Sequence, residues 1–134
     1  MEEVRMWIKK AEEDLVVSEK LFSLDEKIYN NIICFHCQQA VEKYIKAFLS
    51  YHKTEIPKTH DITKLLNLCI EIDEDFKILK EKSIEDLTIY ATELRYPDFF
   101  VGEVSLEETQ KTLNKAQYVK EFVIKKIENN DLKG

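Results

Sequence analysis

Glycine and proline are nearly absent: Gly102, Gly134, Pro57 and Pro97 are the whole complement in 134 residues. A Walker loop, a dinucleotide-binding G-x-G-x-x-G turn and a G-x-S-x-G nucleophile elbow each need several residues without a Cβ close together. Those enzyme classes are therefore excluded. Long apolar runs are missing too, and with them a membrane-spanning helix, which needs about 20 apolar residues in succession. Cations are in the minority. Twenty Lys and Arg face 26 Asp and Glu for a formal net charge of -6. Unspecific attraction to nucleic acid or an anionic membrane is not expected, so any anion site must be local. Cysteine is sparse and odd in number, with Cys34, Cys37 and Cys69 in a chain large enough to build a core without disulfides. The three read as small core residues of a protein in a reducing compartment. Met1-Glu2-Glu3 is not the basic start of a secretory leader, and a cytoplasmic location is expected.

What the chain does have is 44% hydrophobic residues at helical spacing, with 34% charged residues between them. Strict period-two alternation is missing, so the expected class is all-α, an up-and-down bundle of four to five helices in one domain over 1–130 with a frayed tail at 131–134. The first helix is predicted from about Glu3 to Leu24, with Val4, Trp7, Ile8, Ala11, Leu15 and Phe22 on one stripe. The second is predicted from about Lys27 to Tyr51, its apolar arc of Ile33, Cys37, Ala40, Val41, Tyr44, Ala47 and Phe48 marking it as central. Pro57 separates it from a third helix capped by Thr59 or Asp61. A fourth pattern from Asp73 to Tyr96 is broken near Ser83, where Ser83 and Asp86 make a capping box, and it stops at Pro97. Ser105 with Glu108 forms a better capping box and starts a last helix to about Asn130.

Three groups of residues carry chemical potential. On the second helix His36, Gln39, Lys43 and Lys46 fall within about 80° of one another, with Glu42 at the border. Two ammonium groups, an imidazole and an amide suit a phosphate or nucleotide; a solvated face or a polar seam to another helix fits the same residues. Arg95-Tyr96-Pro97-Asp98 brings a guanidinium, a phenol and a carboxylate out of a helix together, and Arg suits bidentate phosphate contact; Arg95 also fits as a complement to the helix dipole with Asp98 as its pair. His60 stands before the third helix beside the cap candidates Thr59 and Asp61. A metal site is not expected. Cys34 and Cys37 lie mid-helix with too few further ligands for zinc, and the residues three before His36, His52 and His60 are Ile33, Leu49 and Pro57, which excludes the Glu-x-x-His pairs of di-iron bundles.

Taken in order, these motifs resemble the HEPN family. They are Trp7-x-x-x-Ala11-x-x-Asp14-Leu15, then Phe35-His36-Cys37-Gln38-Gln39-Ala40-Val41-Glu42-Lys43-x-x-Lys46-Ala47, then His60-Asp61-Ile62-x-x-Leu65-Leu66, then Arg95-Tyr96-Pro97-Asp98. The resemblance implies a helical bundle like the substrate-binding subunits of nucleotidyltransferases. It also implies a homodimer, a separately encoded minimal nucleotidyltransferase as partner, and a nucleotide- or RNA-binding role. In some branches of the family the HEPN protein is a metal-independent ribonuclease toxin of a toxin–antitoxin pair, its activity assigned to an Arg followed after four to six residues by His. This chain departs from that motif: the positions after Arg95 are Phe100, Val101 and Gly102, and those after Arg5 are Lys10, Ala11 and Glu12. Metal-free RNA cleavage needs a base for the 2′-OH proton and a cation for the developing charge.

The expectation is a catalytically silent HEPN module without cofactor, binding phosphate through His36, Gln39, Lys43, Lys46, Arg95 and Tyr96 in a pocket between the second helix and the end of the fourth. The alternative is an endoribonuclease using Arg95, His36 and His60.

Overall fold

The computed structural model of the chain describes residues 1–93 and 103–133. Among them are six α-helices: α1 Glu2–Ser23, α2 Asn30–Tyr51, α3 Ile62–Ile72, α4 Lys77–Glu81, α5 Thr88–Glu93 and α6 Leu106–Lys133. Short 3-10 turns at Lys27–Tyr29, Glu74–Phe76 and Ile84–Leu87 precede α2, α4 and α5. The chain therefore enters its second helix through a tight turn, not through continuous α-helix from Lys27.

α2 is central, as its apolar arc requires: Ile33, Cys37, Ala40, Val41, Tyr44, Ala47 and Phe48 are all buried. α1 runs antiparallel to it, with the Ser18 hydroxyl donating to the Ile33 carbonyl at 3.1 Å and Asp14 opposite His36. α6 runs parallel to α2. Asn30 near the start of α2 donates to the Val104 carbonyl at 3.0 Å, and Tyr51 at its end donates to Asp131 at 2.6 Å. Two parallel neighbours need a return path between them, and the segment from Phe76 to Tyr90 supplies it. Phe76 packs on Phe122, Lys115 donates to the Ser83 carbonyl, and the Tyr90 hydroxyl donates to Glu108. This rod therefore climbs antiparallel to α6 and closes an up-and-down bundle.

The caps explain the boundaries. Asp61 caps α3 by accepting from the Thr63 N–H at 3.0 Å, while Thr59, two residues earlier, accepts from the Asp61 N–H. Ser105 accepts from the Glu108 N–H at 3.0 Å, but the Glu108 carboxylate turns to the Tyr90 hydroxyl, so only half of the predicted box forms. The break at Ser83 has a different cause from the one predicted. Ser83 adopts a left-handed conformation, φ 59°, and makes no side-chain cap; the turn itself, not a Ser83–Asp86 box, ends α4. Asp25 and Lys53 are left-handed at the ends of α1 and α2, where chains usually place glycine. The last helix continues past Asn130 to Lys133.

Cys34, Cys37 and Cys69 are free thiols in the core. No described helix is long and apolar enough to cross a membrane.

Candidate functional site

The wide apolar arc of α2 commits about half of its circumference to α1, α6 and the return rod. The remaining strip carries His36, Gln39, Lys43 and Lys46, as the helical projection requires, and all four are partly exposed. Two carboxylates organise them. Asp14 on α1 accepts from Lys43 Nζ at 2.5 Å on one oxygen and meets His36 Nδ1 at 2.9 Å on the other. Glu42 on α2 accepts from Lys46 Nζ at 3.2 Å and meets His60 Nδ1 at 2.9 Å. The side chains of Asp14 and Glu42 are only 13% and 3% exposed, and carboxylates so far from water need compensating charge and hydrogen bonds. Each receives one ammonium and one imidazole.

The anchoring has a consequence for the imidazoles. A ring whose Nδ1–H donates to a carboxylate leaves its Nε2 for a further partner. In both His36 and His60 that nitrogen has no hydrogen-bond partner among the described residues. Below Lys46 lies Trp7, the ammonium 5.5 Å from the ring centroid, which supplies a favourable face to the cation. Gln39 donates to the Gln38 side-chain oxygen at 2.6 Å, and Gln38 is fully buried. The Gln39 amide is thereby oriented, and its oxygen is left for another donor.

Of the residues predicted from sequence, the structure brings His36, Gln39, Lys43 and Lys46 together on one face and adds His60 through Glu42. Arg95, Tyr96, Pro97 and Asp98 lie outside the described residues. The lysines are not bare cations, as the row alone suggests, but partners of carboxylates. Asp14 is the residue that single-helix reasoning missed as an anchor. The signal was present: Asp14 stands seven residues after Trp7, about 20° away on the same helix face, at the polar edge of the apolar stripe.

No three His, Cys, Asp or Glu side chains converge as a metal-binding group among the described residues. Burial pushes the Cys37 thiol up to about 12 and raises Cys34 and Cys69 as well, which leaves no thiolate to react near neutral pH.

The HEPN domain profile matches residues 4–127. The chain belongs to the HEPN family. A comparison with curated proteins finds no match. Among solved structures, the chain is similar to the crystal structure of an archaeal HEPN homologue at 24% identity, with a TM-score of 0.65, covering 92% of this chain and 97% of that one. That likeness concerns the HEPN fold. Gln38, Gln39, Glu42 and Lys43 are the positions at which α2 anchors the polar cluster.

Proposed function

We propose that this HEPN chain binds the phosphate of a nucleotide or RNA on the open face of α2, without chemistry of its own, as a homodimer acting with a separately encoded minimal nucleotidyltransferase. The observation that supports the phosphate reading is the gathering of His36, Gln39, Lys43 and Lys46 on one partly exposed face of α2; the pairing of each lysine with a near-buried carboxylate is the polar seam that also fits these residues, and a phosphate reaches the ammonium groups only by sharing them with Asp14 and Glu42. Anchoring holds the donors in place before a ligand arrives and lowers the entropy cost of binding. Lys43 and Lys46 meet phosphate oxygens, Gln39 directs a further hydrogen bond, Arg95 adds a bidentate contact and Tyr96 stacks on a base. Calorimetry with a nucleotide tests it: the pair Lys43→Ala and Arg95→Ala is expected to weaken binding by roughly 2 kcal/mol or more. Unchanged affinity would remove the assignment. The partnership is tested by asking whether a minimal nucleotidyltransferase co-purifies with the chain from its source cells.

One observation favours a second reading. Two imidazoles oriented through Nδ1 are arranged as general bases are, so a metal-independent endoribonuclease using His36, His60 and Arg95 is the alternative. It predicts growth arrest and RNA degradation on expression of the chain alone, abolished by Arg95→Ala. Harmless expression with intact RNA rejects it.

A further inference from the structure

Asp14 and Glu42 perform the same task at two points of one surface, each holding a lysine ammonium and the Nδ1 of an imidazole. In each trio the carboxylate balances the lysine charge. An incoming phosphate therefore does not meet bare cations. It must share Lys43 with a carboxylate already 2.5 Å away, or Lys46 with one 3.2 Å away.

That requirement separates two kinds of phosphate. A phosphodiester spreads one negative charge over two non-bridging oxygens, which makes it the electrostatic equivalent of the carboxylate it would compete with, and it gains little. A phosphomonoester carries about 1.5 to 2 negative charges near neutral pH on three acceptor oxygens. It outcompetes a carboxylate for the shared ammonium and has an oxygen left over for the other donors of the strip. Length points the same way. From His36 to Lys46 the row covers about 15 Å of helix axis, and the formal charge of the whole chain is -6, which opposes an extended polyanion.

We infer that the α2 surface recognises a terminal phosphate, a phosphomonoester dianion on a free nucleotide or at the end of an RNA, in preference to an internal phosphodiester. This rests on the phosphate-binding reading above and names the group that the site selects. Asp14 and Glu42 set the selectivity by balancing the charge of the lysines they hold.

Binding by the full chain is measured for AMP, 3′,5′-cyclic AMP and adenosine, and for one labelled RNA oligonucleotide with a 5′-phosphate, a 3′-phosphate or hydroxyl ends. The monoesters are expected to bind at least roughly tenfold more tightly than the matched diester or hydroxyl-ended ligand. AMP against end-phosphorylated RNA then distinguishes the two sources. Asp14→Asn keeps the shape and removes the competing charge, so the preference for monoester over diester should shrink. Lys43→Met should lower monoester affinity by roughly tenfold while leaving diester affinity little changed, and it keeps the inference testable should Asp14→Asn fail to fold. Equal binding of monoester and diester, or a preference that Asp14→Asn leaves untouched, overturns the inference while phosphate binding stands. If no phosphorylated ligand binds, the phosphate-binding reading falls and the inference with it.

Discussion

Asp14 and Lys43 meet at 2.5 Å across the seam between α1 and α2, and the same carboxylate holds His36. One aspartate therefore joins two helices and fixes two side chains of the α2 strip. Removing it leaves an ammonium and an imidazole without their acceptor, whereas removing Lys43 leaves Asp14 still paired with His36. Asp14→Ala is expected to destabilise the fold by about 2 kcal/mol and Lys43→Ala by about 1 kcal/mol or less. Urea denaturation of both variants and of their double mutant measures the coupling, and a larger loss for Lys43→Ala would contradict this ranking.

Glycine scarcity gives a second prediction. Asp25, Lys53 and Ser83 occupy left-handed positions, φ 52°, 55° and 59°, that cost a residue with a Cβ roughly 1 kcal/mol. Lys53→Gly and Ser83→Gly relieve that strain at the ends of α2 and α4 and should each stabilise the fold by about 0.5 kcal/mol, net of the entropy gained by the unfolded chain. Thermal melting checks this; lower melting temperatures for both would refute the strain argument.

Acid sensitivity is expected at the far end of α2. Burial pushes His52 below its ordinary value of 6.5, with Asp73 opposing, and its Nε2 accepts from Asn130 at 3.3 Å. The native state thus favours the neutral ring, and this contribution is whole above 6.5 and lost as pH falls from there towards the native value. Burial alone would raise Asp73, but the Lys126 hydrogen bond, the Asp75 N–H and the Lys126 charge hold it below its ordinary 3.8. That contribution is whole above 3.8 and is lost as pH falls further. Melting temperature should therefore drop in two stages on acidification, the first removed by His52→Gln and the second by Asp73→Asn. A profile identical to wild type in both variants would contradict the assignment.

The three thiols provide a simple check on packing. Buried and held protonated, Cys34, Cys37 and Cys69 should resist a thiol reagent at neutral pH in the native chain and react fully in denaturant. Rapid labelling of any one in the native state would show that its part of the core opens.

Much of this architecture was legible in the sequence because helical periodicity and caps are local. The arc from Ile33 to Phe48 identified the central helix, and Asp61 and Ser105 marked two helix starts. The rod between α3 and α6 was less so. Its break at Ser83 is a backbone conformation stabilised partly by Lys115 from α6, a contact 32 residues away that no local window contains. The site divides in the same way. The projection of α2 found His36, Gln39, Lys43 and Lys46 as one row, yet their compensation by Asp14 and the recruitment of His60 by Glu42 are tertiary pairings. They turn a row of bare cations into lysines paired with carboxylates, which changes the phosphate chemistry expected of it.

Where a phosphate lands on the chain decides the account most directly. In a ¹H–¹⁵N NMR titration of the uniformly labelled chain with AMP, the account predicts that the largest amide shifts follow the strip of His36, Gln39, Lys43 and Lys46, with Asp14 opposite on α1, and that Lys43→Met suppresses them. Saturable shifts confined elsewhere, such as the groove lined by Ile89, Tyr90, Lys111 and Lys115, or a spectrum that AMP does not move, would contradict it.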